Sequence, residues 1–149
     1  MIRLSRDPID LAALTATSPA DGALCLFVGV VRDENQGRRV LHLEYEAYES
    51  MAVLVLEQLA GEARATWGTG MIAIHHRVGR LEIGEMAVLI VVAAAHRHEA
   101  FEAAEWLMDR IKEVVPIWKK EIWADGASEW VGNEVERKAG TGEGDKVTG

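Results

Sequence analysis

Residues 22–32, GALCLFVGVVR, are apolar on both alternating faces, which predicts a buried strand. The loop DENQGRR follows, with Gly37 as its turn residue. In VLHLEYEAY the pattern alternates: Leu41, Leu43, Tyr45 and Ala47 take one face, and His42, Glu44, Glu46 and Tyr48 the other. That is the mark of a half-buried strand. From about Ser50 to Trp67 the period lengthens. Ala52, Val55, Leu56, Leu59 and Ala63 form the stripe of an amphipathic helix.

MIAIHHRVGRLEIGE predicts a strand, a turn around Gly79 and a short return to a second turn at Gly84. The run from Met86 to Ala95 reads as a central strand. A second helix is predicted from about Arg97 to Val114, with Ala100, Phe101, Ala104, Leu107, Met108, Ile111 and Val115 as its buried stripe. Pro116 stops it, because proline lacks the amide hydrogen and restricts the residue before it. IWKKEIWA and SEWVGN flank Asp125-Gly126, a hairpin turn signal. With no internal repeat or linker, residues 1–138 are expected to form one domain and 139–149 a flexible glycine-rich tail. The expected fold is α+β, α/β hammerhead-like: a mixed, largely antiparallel sheet, two main helices and a C-terminal hairpin.

Composition narrows the function classes. The chain has 149 residues, 49% hydrophobic and 27% charged, ordinary for a soluble globular domain with a real core. Its net charge of −8 argues against broad nucleic-acid or membrane-surface binding, though it leaves room for a local basic pocket. The longest apolar run falls short of the roughly 18 residues needed to span a bilayer. The N-terminal MIRLSRDPIDLAAL has no long apolar core, so no signal peptide is expected and a cytoplasmic location is. One cysteine, Cys25, rules out an internal disulfide and any multi-cysteine metal site. In an apolar strand it reads as a core thiol.

Against that acidic background, cations gather around the second helix. His96 and Arg97 stand where a strand ends and the helix begins, where outward backbone N–H groups and the helix dipole favour a phosphate. The plainer reading has Arg97 pairing with a surface carboxylate and His96 capping the helix. Lys112 lies near the other end, about 60° from Arg97 and about 40° from Met108 by helical phase. It is either a snorkelling side chain over apolar surface or part of a pocket. Strand alternation past Pro116 puts Lys119 and Glu121 on one face, and Trp118 and Lys120 on the other. Two ammonium groups in one partly desolvated pocket lower each other's pKa, which makes a lysine useful near neutrality. Arg32 opens a loop that also holds Arg38 and Arg39, all of which fit ordinary solvated arginines as well. Arg97 and Lys112 are roughly 22 Å apart along the helix axis, so one small ligand meets both more easily across two subunits. His75 and His76, adjacent in a strand, make a poor metal pair. No HExxH, CxxC, EF-hand, P-loop or GxGxxG pattern occurs.

The segments GALCLFVGVVRDENQGRRV, LEYEAYESMA, HRVGRLEIGE and AHRHEAFEAAEWLMDRIKEVVPIWKKE, taken together and in order, resemble the MoaE family, the large catalytic subunit of molybdopterin synthase. The resemblance spans roughly residues 22–132. It implies a sulfurtransferase of molybdenum cofactor biosynthesis. Sulfur from the thiocarboxylated C-terminus of a small ubiquitin-like subunit would pass to cyclic pyranopterin monophosphate, forming the molybdopterin dithiolene. It further implies a homodimer within a heterotetramer, no metal and no bound cofactor. Lys112 and Lys119 take the positions of the catalytic lysines. Arg32, His96 and Arg97 take those of anion-binding residues, and Phe27, Met108 and Glu121 fall at pocket positions. The independent reading agrees, since substrate and sulfur donor are both anions and a lone cysteine expected to be buried does not suit a persulfide carrier. The rival reading is a non-catalytic dimeric module that binds a phosphorylated pterin or nucleotide, or a ubiquitin-like tail.

Overall fold

The computed structural model describes residues 1–131; the expected tail, 139–149, and the end of the expected domain lie outside the described residues. In chain order the elements are β1 (Ile2–Ser5), α1 (Leu11–Leu14), β2 (Ala23–Val30), β3 (Glu34–Asn35), β4 (Arg38–Ala47), α2 (Glu49–Trp67), β5 (Ile72–Arg77), β6 (Gly79–Glu82), β7 (Met86–Ala94), α3 (Arg97–Val114), β8 (Ile117–Trp123) and β9 (Ser128–Val131). The α+β class, the two main helices, the antiparallel bias and the C-terminal hairpin are all present.

The strands form two sheets rather than one. The first has the order β1-β5-β7-β2, with β1 parallel to β5 and the other pairs antiparallel. In the second, β4 runs between β6 and β8, β9 flanks β8, and β3 folds back on the start of β4. The predicted short return after Gly79 does not occur along β5. Both edges of β5 are already taken, by β1 and β7, so after Gly79 (φ +85°) the chain crosses to pair Leu81 with Leu43.

Helices α2 and α3 cover one face of the first sheet. Ala52, Ala60 and Ala63 of α2 and Ala100, Ala103 and Ala104 of α3 let the helices approach Ile72, Ile74, Ile90 and Val92 closely. Phe101 is not part of this core and is 63% exposed. It lies about 100° around the helix from Ala100, off a stripe whose centre Ala103 and Leu107 share. A second cluster, Val31, Val40, Leu43, Leu81, Ala87 and Trp123, joins the two sheets.

Two strand expectations also need correction. β2 is an edge strand with only β7 beside it, and Leu24, Leu26, Phe27 and Val30 are exposed. Apolar alternation records composition and is blind to the number of neighbours. On β4, a register shift between Val40 and His42 sends Val40 into the core and leaves Leu41 47% exposed. Leu43, Tyr45 and Ala47 keep their inward face.

The junction of the sheets buries His75, His76 and Arg77. The His76 Nδ1–H donates to the Arg77 carbonyl at 2.8 Å, and burial pushes its pKa down to about 4. The His75 pKa is lowered too, first by burial and then by Arg3 and Arg77. The unfolded chain takes up these protons near pH 6.5, so their contribution to stability is complete above that value. It is lost as pH falls toward 4, by about 3 kcal/mol for His76. The thermal midpoint is therefore expected to drop several degrees between pH 7 and pH 5. An unchanged midpoint over that interval would contradict the burial of a neutral His76.

Candidate active site

The sequence from α3 into β8 is organised by one proline. Val115, held extended (φ −78°, ψ 129°) before Pro116, ends α3 and turns the chain into β8. The Pro116 carbonyl accepts from the Tyr48 amide at 3.1 Å, which ties this turn to the start of α2. Lys112 is exposed on the last turn of α3, and Met108, one turn earlier, packs partly buried against the helix core.

On β8 the inward face carries Lys119 and Glu121. Lys119 is paired in register with Tyr45 and Glu121 with Leu43. Glu121 is only 3% exposed, and its carboxylate accepts from the Asn35 side-chain amide at 2.6 Å. The Tyr45 pKa is pushed up to about 12, chiefly by burial and then by the Glu121 carboxylate. Tyr45 is therefore a neutral phenol at physiological pH, with its ring edge against His76 at a centroid distance of 5.0 Å. Lys119 thus lies opposite an uncharged phenol and two residues from a buried carboxylate on the same face of β8.

Strand and helix directions divide the remaining candidates. β2 and β7 are antiparallel, with Ala23 opposite Ala94 and Val30 opposite Met86, and α3 turns back along both. Arg32, just past β2, and Lys112 therefore lie at one end of the first sheet. His96 and Arg97 lie at the other, roughly 25 Å away by the rise of an eight-residue strand. Phe27, on the same face of β2 as Cys25, lies towards α3.

Each end has its own open cleft. Arg32, Asp33, Glu34 and Gln36 line one of about 470 Å³. His96, Arg97, His98, Phe101 and Glu102 line another of about 480 Å³. His96 is the extended N-cap residue of α3 but makes no capping hydrogen bond with its side chain, so the plainer reading of a capping His96 does not hold. Its ring lies 3.8 Å from the Glu99 carboxylate. Gly22 keeps this end tight: its amide donates to the Ala94 carbonyl, and a Cβ there would run into the Ala95 carbonyl oxygen just before His96.

A single copy of the chain thus gathers Arg32, Lys112, Lys119 and Glu121 toward one end and leaves His96 and Arg97 at the other. The sequence pattern alone does not single out Asn35 or Tyr45 as site residues. Alternation did turn Tyr45 inward, but its pairing with Lys119 depends on strand register. Nothing local marks Asn35, whose partner is 86 positions away. Among the described residues, no group of three or more His, Cys, Asp or Glu side chains is arranged to hold a metal ion. No helix among them is long and apolar enough to cross a membrane. Burial raises the Cys25 pKa, which disfavours the thiolate.

The family model described as MoaE protein matches residues 4–114. The chain belongs to the MoaE family. A Bacillus subtilis relative named molybdopterin synthase catalytic subunit is 50% identical to this MoaE chain over 118 residues, 79% of this chain and 74% of that protein. The solved molybdopterin synthase from Staphylococcus aureus is 42% identical, with a TM-score of 0.82 over 87% of this chain and 96% of that one. The MoaE protein from Burkholderia ambifaria is 40% identical, with a TM-score of 0.75 over 95% and 97%. The family match contains Phe27, Arg32, His96, Arg97, Met108 and Lys112, while Lys119 and Glu121 lie beyond its end.

Proposed function

We propose that this MoaE chain is the catalytic subunit of a molybdopterin synthase. It takes sulfur from the thiocarboxylated C-terminus of a small ubiquitin-like subunit and adds it to cyclic pyranopterin monophosphate, building the dithiolene. Two donors are consumed per product, each surrendering one sulfur and leaving as a carboxylate. The observation that carries the reading is the position of Lys119. It is held on a strand beside neutral Tyr45 and buried Glu121, at the end of the fold that also holds Lys112 and Arg32. Relatives at about half identity bear the corresponding name.

In this account Lys112 is the acid/base, or the transient acyl acceptor, beside the incoming thiocarboxylate. Lys119 and Arg32 neutralise charge on the substrate. Phe27 and Met108 supply the apolar wall, and Glu121 backs the pocket. His96 and Arg97 hold the phosphate at a helix N-terminus, where unpaired backbone N–H groups favour an anion. Because they lie at the far end of their own chain, they serve the site of a second copy. The working form is therefore a homodimer, with one small subunit per site and a cytoplasmic location.

A non-catalytic module would need the same cations for binding. The two readings part at Lys112→Arg. Arginine keeps the charge but does not deprotonate near neutrality or form the same acyl adduct. The variant is expected to bind the small subunit as wild type does and to lose dithiolene formation. Full turnover by Lys112→Arg would remove the acid/base and acyl roles.

A further inference from the structure

The segment between β2 and β4 carries Arg32 and is fastened at several points. At its start, the Val31 amide donates to the Glu85 carbonyl at 3.0 Å and the Gly84 amide donates to the Val31 carbonyl at 2.9 Å. At its base, the Val40 amide donates to the Asp33 carbonyl at 2.8 Å, and the Ala124 amide to the Arg39 carbonyl at 2.9 Å. Its tip turns through Gln36 (φ +52°) and Gly37 (φ +78°). Arg38 then lies over the Trp123 ring, 3.6 Å from the centroid, and pairs with Asp125 at 2.9 Å.

These fastenings differ in worth. Arg38 and Asp125 are both well exposed, and an ion pair in water holds little. The Asn35–Glu121 bond is different. At 2.6 Å it joins a loop amide to a carboxylate that is 3% exposed. A charged acceptor in such a place makes a strong bond, and losing its donor is costly. Glu121 also shares the inward face of β8 with Lys119. One hydrogen bond therefore links the loop that bears Arg32 to the strand that bears Lys119.

We propose that Asn35 is a positioning residue: through Glu121 it holds the Arg32 loop against the Lys119 strand and so fixes the spacing of the two cations that receive the anionic substrate. The proposal rests on the functional reading above. Only two residues separate Arg32 from Asn35, and Val31 is clamped on the other side. The backbone that aims Arg32 is therefore held from both directions.

Asn35→Asp tests it, since it replaces the donor with a second carboxylate facing Glu121. Amide hydrogen exchange over residues 32–40 is expected to speed up about tenfold or more, with exchange in β7 unchanged as the mark of an intact fold. In titrations, the dissociation constant for cyclic pyranopterin monophosphate rises about tenfold and kcat stays within about twofold, the signature of lost positioning. The double variant Asn35→Asp with Glu121→Gln restores a donor and an acceptor in reversed order, and is expected to recover slow loop exchange.

Unchanged loop exchange in Asn35→Asp would overturn the strap. Faster exchange with unaltered substrate affinity would overturn its role in aiming Arg32. If the wild type itself binds no substrate, the functional reading falls and the positioning role with it, while the exchange result still judges the strap.

Discussion

Lys119→Ala and Lys112→Ala are each expected to lower dithiolene formation by about 10²–10⁴-fold, the usual range for removing a positioned proton-transfer or charge-neutralising group. The fold is expected to survive both. Lys112 is exposed on α3, and alanine favours a helix there, so its variant should melt close to the wild-type temperature. Lys119 is half-buried on β8, and its loss costs some packing around Tyr45 without emptying any of the three core clusters. Steady-state turnover with thermal melts of both variants is the check. Turnover above half of wild type by a folded Lys112→Ala protein would take that residue out of the chemistry.

The second large effect is a restoration. Arg32, Lys112 and Lys119 lie toward one end of the chain, and His96 and Arg97 roughly 25 Å away at the other by the rise of β2. If each site draws on two copies, Lys119→Ala and Arg97→Ala chains are each inactive alone and complement each other. A mixed dimer has one site with both defects and one with neither. After random 1:1 exchange about half the dimers are mixed, so about a quarter of wild-type activity is expected to return. Unfolding and refolding the mixture together, with the separately refolded variants as controls, gives the measurement. No recovery, from variants shown to exchange subunits, would place the whole site within one copy.

Much of this was readable from the chain because local physics sets it. The limits of α3, Arg97–Val114, follow from a 3.6-residue period and Pro116, and the hairpin at Asp125-Gly126 from its turn residues. Alternation on β8 correctly put Lys119 and Glu121 on one face. What escaped depends on partners distant in sequence. Nothing within β6 reveals that β1 and β7 already fill both edges of β5, so its departure to β4 could not be read. The exposed apolar residues of edge strand β2 carry the same alternation as a central strand. Apolar character alone places Phe101 in the core, whereas the stripe built on Ala100, Ala103 and Leu107 leaves it outside. The Asn35–Glu121 bond joins residues 86 positions apart in sequence and has no local signature.

The most direct test of the central claim is a reconstitution. The purified chain is mixed with a thiocarboxylated ubiquitin-like small subunit and cyclic pyranopterin monophosphate, and dithiolene product is assayed. The account predicts product in proportion to the thiocarboxylate supplied, two donors per molecule. A stable complex with the small subunit that yields no product would contradict it and leave the chain a binding module.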